Sequence, residues 1–277
     1  MRNNARPVAL VTGASSGIGA SLARELAQDG HDLIICAPRD EPMRALANEL
    51  KASGCACTII PADLGKGGAA AALVQEIEAK GLIVDVLINA AGLGANGRFD
   101  LINPLRISEM LEVNVVALTE LTRLLVPAMV SRRKGRIMLV ASTAAFQPGP
   151  QMAVYSASKA YVLSFGEAIA FELEGTGVAV TTLCPGATAT EFAEVAKAGD
   201  SALFKGGLVP VMSASEVARL GYEGLKARRP VVVTGLLNRI MAVSSQLSPA
   251  PVKLRIANWM MSTGRSGASA ARATAAA

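Results

Sequence analysis

Pro7-Val8-Ala9-Leu10-Val11-Thr12-Gly13-Ala14-Ser15-Ser16-Gly17-Ile18-Gly19 is the stretch that decides the fold. Pro7 to Val11 is a short apolar run with the length and β-branched content of a strand. The glycine-rich turn after it opens a helix that the pattern carries to about Asp29. Glycines without a Cβ permit a tight turn and close approach of a bound pyrophosphate. The helix N-terminus beyond them offers free N–H groups and the positive end of a dipole. Strand, glycine turn and helix in that order mark the first unit of a dinucleotide-binding α/β fold.

The same alternation continues outward. Strands read at Asp32–Ala37, Thr58–Pro61, Val84–Asn89, Gly135–Ala141, Val178–Leu183 and Pro230–Thr234. Helices read at Met43–Ser53, Gly68–Lys80, Pro104–Val130, Tyr155–Leu173 and Ser215–Lys226. No composition break divides them. The expectation is a doubly wound parallel sheet of about seven strands with helices on both faces. It forms one domain over residues 1–262, in which 236–262 is an apolar helical extension broken at Pro249 and Pro251. Residues 263–277 are low in complexity and read as a disordered tail.

In such a sheet the residue closing the second strand meets the adenosine ribose, and a carboxylate there selects NAD over NADP. This chain has Ala37, Pro38 and Arg39, with Asp40 only later. The missing carboxylate and the arginine favour NADP, with NAD as the alternative and Arg39 as a plain surface residue the competing reading. Ser142 sits at the end of the fifth strand, at the sheet edge where open α/β folds bind ligands, or simply caps a turn there. Tyr155 and Lys159 are four residues apart on a helix and share a face. A phenol ionises near pH 10, and a neighbouring ammonium is expected to pull that value toward neutrality, giving a general acid/base. Asn114, set among Val113, Val115, Val116 and Leu118, either needs buried partners or interrupts the helix toward solvent.

With 277 residues, 51% of them apolar and 18% charged, the chain can bury a sizeable core. The net charge of +5 is modest. Its clusters, Arg132–Arg136 and Arg228–Arg229, are short, lack interleaved aromatics and read as solvated loop charge rather than a nucleic-acid footprint. Cys36 and Cys184 sit in strand-like runs, and Cys55-x-Cys57 lacks the second pair of a zinc site, so all four cysteines read as reduced thiols. The single histidine, His31, excludes a multi-histidine metal site and reads as a surface residue. No signal peptide and no uninterrupted apolar run of membrane-spanning length is read, so the expected location is cytoplasmic. Residues 193–211 read as a lid whose apolar candidates, with Phe192 before them, are Leu203, Phe204 and Leu208. Residues 238–261 read as a helical pair for the body or a partner subunit, or as a surface for peripheral membrane contact.

Thr12-Gly-x-x-x-Gly17-Ile18-Gly19, Asn89-Ala-Ala-Gly92, Asn114, Ser142, Tyr155-x-x-x-Lys159 and Pro185-Gly186 together resemble the short-chain dehydrogenase/reductase family, in its order and at compatible separations. Thr234–Arg239 is similar to the DltE-like branch of bacterial NAD(P)-dependent oxidoreductases. The resemblance implies hydride transfer between a nicotinamide and a carbonyl or secondary alcohol. It implies Tyr155 as proton donor and acceptor, Ser142 on the substrate oxygen, Lys159 on the nicotinamide ribose, and Asn114 supporting a water linked to Lys159. It further implies cofactor contacts from Gly13, Ser15, Ser16, Gly17, Ile18 and Gly19, from Asp63 and Leu64, from Asn89, Ala90 and Gly92, and from Pro185, Gly186 and Thr188. Many NADP-preferring members carry arginine directly after the small residue closing the second strand, where this chain has Pro38. The apolar Tyr155 helix (Val162, Phe165, Ile169, Phe171) suits burial on both sides, and the family usually forms dimers or tetramers through it. The expected substrate is a hydrophobic ketone or alcohol. The other readings are an NAD-linked dehydrogenase of the same mechanism and a non-catalytic NADP(H)-sensing protein.

Overall fold

The computed structural model describes residues 6–192 and 210–261. Strands β1 (Val8–Thr12), β2 (Asp32–Cys36), β3 (Cys57–Ile59), β4 (Val86–Asn89), β5 (Gly135–Val140), β6 (Val178–Cys184) and a last one at Val231–Val233 form a seven-stranded sheet. Its spatial order is β3-β2-β1-β4-β5-β6 followed by Val231–Val233, and every pairing is parallel. The order reverses between β1 and β4, the switch point at which a doubly wound sheet opens a crevice. β1 and β4 are buried along their whole length, as strands covered on both faces must be.

Helices α1 (Gly17–Gln28) and α2 (Asp40–Leu50) cover one face, together with α7 (Ala214–Lys226), which follows α3 (Ala69–Ala79), α4 (Pro104–Leu111), α5 (Leu118–Ser131) and α6 (Ala153–Glu172) in the chain. Leu22, Leu26, Met43, Val217 and Leu225 pack there on Val11 and Ile35. α3, α5 and α6 cover the other face, where Leu73, Ile77, Leu121 and Val162 pack on Leu10, Leu87 and Leu139. The short β7 (Thr188–Ala189) and β8 (Met212–Ser213) pair beside the sheet, and Val231–Val233 is β9. The chain then enters α8 (Leu236–Leu247) and α9 (Ala250–Met261), the helical pair read from the sequence.

Helix starts follow local chemistry. Asn103 caps α4 by accepting from Leu105 N at 2.9 Å, with Pro104 at the first helical position. Ser213 caps α7 by accepting from Glu216 N at 3.1 Å. α2 begins at Asp40 rather than the expected Met43, with Asp40 and Glu41 in its first turn, where carboxylates meet the positive end of the helix.

Three expectations are corrected. His31 is buried, not at the surface: its Nδ1 lies 3.2 Å from Leu26 O and its ring meets Tyr222 edge-on at 6.5 Å. Burial pushes its imidazole pKa down. The helix expected as one run over 104–130 contains a π turn, Glu112–Ala117, between α4 and α5. From Pro104 to Ser131 it is nonetheless one 28-residue helical stretch, apolar enough by length and composition to span a bilayer, which the sequence reading did not find. Here it serves as a core helix, with Leu118, Leu121, Leu125 and Met129 against the sheet. The Arg132–Lys134 charges are exposed, as read, and also brace turns: Arg132 donates to Val84 O, Arg133 to Gly175 O, and Lys134 pairs with Asp85. All four cysteines are free thiols. The lid candidates Leu203, Phe204 and Leu208, and the tail from 263, lie outside the described residues.

Candidate active site

The register of the sheet brings the strand ends to one edge. Thr12 lies beside Cys36 on one side and Asn89 on the other, and Val140 beside Leu183. A cavity of about 710 Å³ runs along this edge from the glycine turn to Tyr155. Its wall includes Gly13, Ser15, Ser16, Gly17, Ile18 and Gly19, then Arg39, Asp63 and Leu64, Ala90 and Gly92, Ser142, Tyr155 and Lys159, and Pro185, Gly186 and Thr188. Of the residues expected to touch a ligand only Asn89 and Asn114 stand behind the wall, both buried.

At the nucleotide end, Gly13 has φ +67°, and a Cβ there would lie 2.8 Å from the backbone of Ala91, so the first turn requires glycine. Thr12 Oγ1 accepts from Ala90 N at 3.2 Å and Ala91 N at 3.1 Å, tying the turn to the end of β4. Ser16 precedes α1 in extended conformation and makes no side-chain cap. Ala20 N is the first to find an acceptor one turn back, at Ser16 O. The N–H groups of Gly17, Ile18 and Gly19 are therefore left without intrahelical acceptors beside the cavity. That donor set, with the positive end of α1, fits a dinucleotide pyrophosphate. Arg39 stands at the same end, its Nη2 donating to Glu191 Oε2 at 3.1 Å.

At the other end, Tyr155 and Lys159 project from the first turns of α6. The Lys159 Nζ donates to Val140 O at 2.8 Å and lies 5.8 Å from the centre of the Tyr155 ring. Ser142 Oγ accepts from Ala144 N at 3.1 Å, capping the 3₁₀ turn Thr143–Phe146, and also hydrogen-bonds the Tyr155 hydroxyl. Burial pushes the Tyr155 phenol up to about 12, and the Ser142 hydrogen bond opposes this. Burial pushes the Lys159 ammonium down to about 8. The expected lowering of the phenol by Lys159 is thus reversed. Desolvation of the buried phenol is the larger influence and the Ser142 hydrogen bond does not offset it.

Asn114 lies within the π turn and is completely buried, so the solvent-facing reading fails. Its Oδ1 accepts from Leu93 N at 2.9 Å, and its Nδ2 donates to Leu93 O at 2.9 Å and to Ser158 Oγ at 3.0 Å. A Cβ on Gly92 would lie 3.4 Å from Lys159 Nζ and 3.5 Å from Asn114 Oδ1, so these three groups converge. π turns concentrate at functional sites because the extra residue redirects a side chain. Asn89 Nδ2 donates to Thr122 Oγ1 at 3.1 Å, fixing the end of β4 on α5.

Sequence reasoning missed part of the wall. Met241, Ala242 and Ser245 of α8 and Lys253, Ile256 and Ala257 of α9 close the cavity on the Tyr155 side. Ser245 Oγ donates to Phe146 O at 2.7 Å, seating α8 over that end. Asn238 lies under Gly186, where any Cβ would meet its side chain. Phe192, named as a lid residue, packs its ring 5.2 Å from that of Tyr155. The i, i+3, i+4 spacing of Lys253, Ile256 and Ala257 marked a face, but nothing local said what it would cover. No group of three or more metal-ligating side chains exists among the described residues.

The short chain dehydrogenase family model matches residues 7–200. The ketoacyl reductase HetN of Nostoc sp. is 34% identical over 257 residues, covering 90% of this chain and 88% of that protein. A short-chain dehydrogenase from Sphingobium yanoikuyae, solved in complex with NADPH, superposes with a TM-score of 0.77 at 32% identity, over 86% of this chain and 92% of that one. The bulky-bulky ketone specific alcohol dehydrogenase from Comamonas testosteroni superposes with a TM-score of 0.73 at 28% identity, over 87% and 93%. With the sheet order, the helix N-terminus facing the cavity and the Ser142–Tyr155–Lys159 cluster already in place, these matches mean that the chain belongs to the short-chain dehydrogenase/reductase family and is an NAD(P)-dependent oxidoreductase.

Proposed function

We propose that this protein is an NADP(H)-preferring carbonyl reductase acting on an apolar ketone, with residues 1–262 as one catalytic unit. The observation that carries the reading is the buried Tyr155 phenol beside the half-buried Ser142 hydroxyl at the apolar end of the cavity. When bound, the nicotinamide supplies the hydride. As negative charge builds on the carbonyl oxygen, Ser142 and Tyr155 stabilise it by hydrogen bonds, and Tyr155 then gives up its proton. A phenol held protonated by burial is suited to that direction.

Lys159 binds the cofactor ribose and, once it does, favours the phenolate left behind. Asn114 and Gly92 hold the space through which Lys159 regains a proton from water. Ser15 and the α1 N-terminus hold the pyrophosphate, Asp63 and Leu64 the adenine, Asn89 and Ala90 the backbone under the ribose, and Pro185, Gly186 and Thr188 the nicotinamide. Arg39 takes the 2′-phosphate. The NADPH complex of the Sphingobium relative supports that cofactor, and the ketone specificity of the Comamonas relative supports the substrate class. The chain works in the cytoplasm as a dimer or tetramer through α5 and α6, whose outer faces expose Leu124, Tyr161 and Phe171.

Tyr155→Phe tests the reading. NADPH consumption with a panel of aryl and alkyl ketones should fall by a factor of about 10²–10⁴, the usual contribution of a positioned acid, while NADPH affinity is unchanged. Full turnover in the variant refutes the mechanism. Tight NADPH binding with no ketone reduced by the wild type favours the sensing role instead.

A further inference from the structure

α8 and α9 carry different chemistry on their two faces. The inner face closes the cavity. On the outer face of α8, Leu236, Ile240, Val243 and Leu247 follow one another at spacings of four, three and four, a continuous apolar stripe. They are 77%, 54%, 54% and 83% exposed. Exposed leucines scattered singly need no explanation, but a full-length stripe on one helix does.

Charge on this side is one-sided as well. From Gly224 onward the sequence has eight Lys or Arg residues and no Asp or Glu. Arg229 and Arg239 line a second cleft of about 500 Å³ between α8 and the edge strand β9, floored by Val231–Val233 and Phe146. Neither guanidinium has a hydrogen-bond or ion-pair partner among the described residues, and both residues are exposed. The surface is therefore an apolar ridge rimmed by uncompensated cations.

We propose that the outer face of α8, with Arg229 and Arg239 beside it, docks on an anionic lipid bilayer. The leucine stripe enters the boundary of the acyl chains and the arginines meet headgroup phosphates, the division of labour of an interfacial amphipathic helix. A nucleic acid would answer the charge but leave the stripe in water. A second copy meeting this face two-fold would bring the same cations against themselves with no carboxylate in the segment to answer them. The docking stands apart from the reductase reading, since it requires no turnover. If both hold, an apolar ketone dissolved in lipid reaches the cavity through the α8–α9 wall.

The test is co-sedimentation of the full-length protein with vesicles of phosphatidylcholine, and with vesicles in which a third of the lipid is phosphatidylglycerol. Each basic side chain near an anionic surface changes partition by about fivefold. Binding is expected only to the anionic vesicles, to weaken with salt, and to fall tenfold or more in Arg229→Gln/Arg239→Gln. Leu236→Ser/Leu247→Ser should abolish it. All four side chains are exposed and lie outside the catalytic cavity, so NADPH oxidation without vesicles should be unchanged in both variants. Equal binding to both vesicle types, no binding at low salt, or undiminished binding by either variant overturns the proposal. So does light scattering that shows wild-type dimers dissociating in the leucine variant, which would assign the stripe to a second copy.

Discussion

The role proposed for Arg39, reading the 2′-phosphate, has a competitor in the structure. Its Nη2 is 3.1 Å from Glu191 Oε2, with the two side chains 61% and 58% exposed. An ion pair so open to water contributes about 0.2–1 kcal/mol. A hydrogen bond from the same guanidinium to a phosphate contributes about 1.5–3 kcal/mol. Arg39 gives up the first to make the second, so the net gain for NADPH over NADH is about 0.5–2.8 kcal/mol, a preference of about 2- to 100-fold. Arg39→Ala should bring the ratio of the two dissociation constants close to one. Glu191→Gln should act in the opposite sense, tightening NADPH by about 1.5- to 5-fold while leaving NADH unmoved. Titration followed by the emission of each reduced cofactor, on wild type and both variants, gives the three ratios needed. An unchanged ratio in Arg39→Ala removes Arg39 as the phosphate reader. Weaker NADPH binding in Glu191→Gln shows that the carboxylate positions Arg39 rather than competing for it.

Asn114→Ala leaves Leu93 N–H, Leu93 C=O and Ser158 Oγ short of a partner in the core. The expected loss is about 2–4 kcal/mol in denaturant unfolding, and a loss under about 1 kcal/mol would show that the site relaxes or admits water. For Lys159 the sign follows from burial: its ammonium is pushed from the ordinary 10.5 down to about 8, so between these values the unfolded chain holds more protons than the folded one. Lys159 therefore adds an upward slope to the stability of the cofactor-free protein between pH 8 and 10, set above pH 9 against the downward slope of the Cys36, Cys57 and Cys184 thiols, which burial pushes from 9.0 up to about 12. Lys159→Met should flatten that slope in urea unfolding, and an undiminished slope refutes the assignment.

What the sequence disclosed and what it hid divide by range of interaction. β1, the glycine turn and α1 were legible because strand, turn and helix are set by neighbours within a few residues, and continuous apolar runs announce strands covered on both faces. Ser142, Tyr155 and Lys159 were legible as a set because each falls at a position fixed by the sheet edge or by one helical turn. The π turn was not, since one extra residue in a helix leaves no local signature and is stabilised by Leu93 and Ser158 from other elements. His31 was misplaced for the same reason: its burial depends on Tyr222, whose hydroxyl reaches back to Asp29. The direction of the Tyr155 shift depended on knowing how deeply the phenol would be buried, which is a fact of packing and not of spacing.

The π turn at Glu112–Ala117 also bears on how this chain can change over evolutionary time. Losing one residue from that segment would restore an unbroken α-helix, by every local measure the better helix. It would also rotate everything before the deletion by about 100° against everything after it. α5, anchored on the sheet by Leu121, Leu125 and Met129, would hold its place, so α4 would swing and Asn114 would lose Leu93. Lineages that keep the site must keep the irregularity, and in this part of the chain length is under tighter constraint than composition.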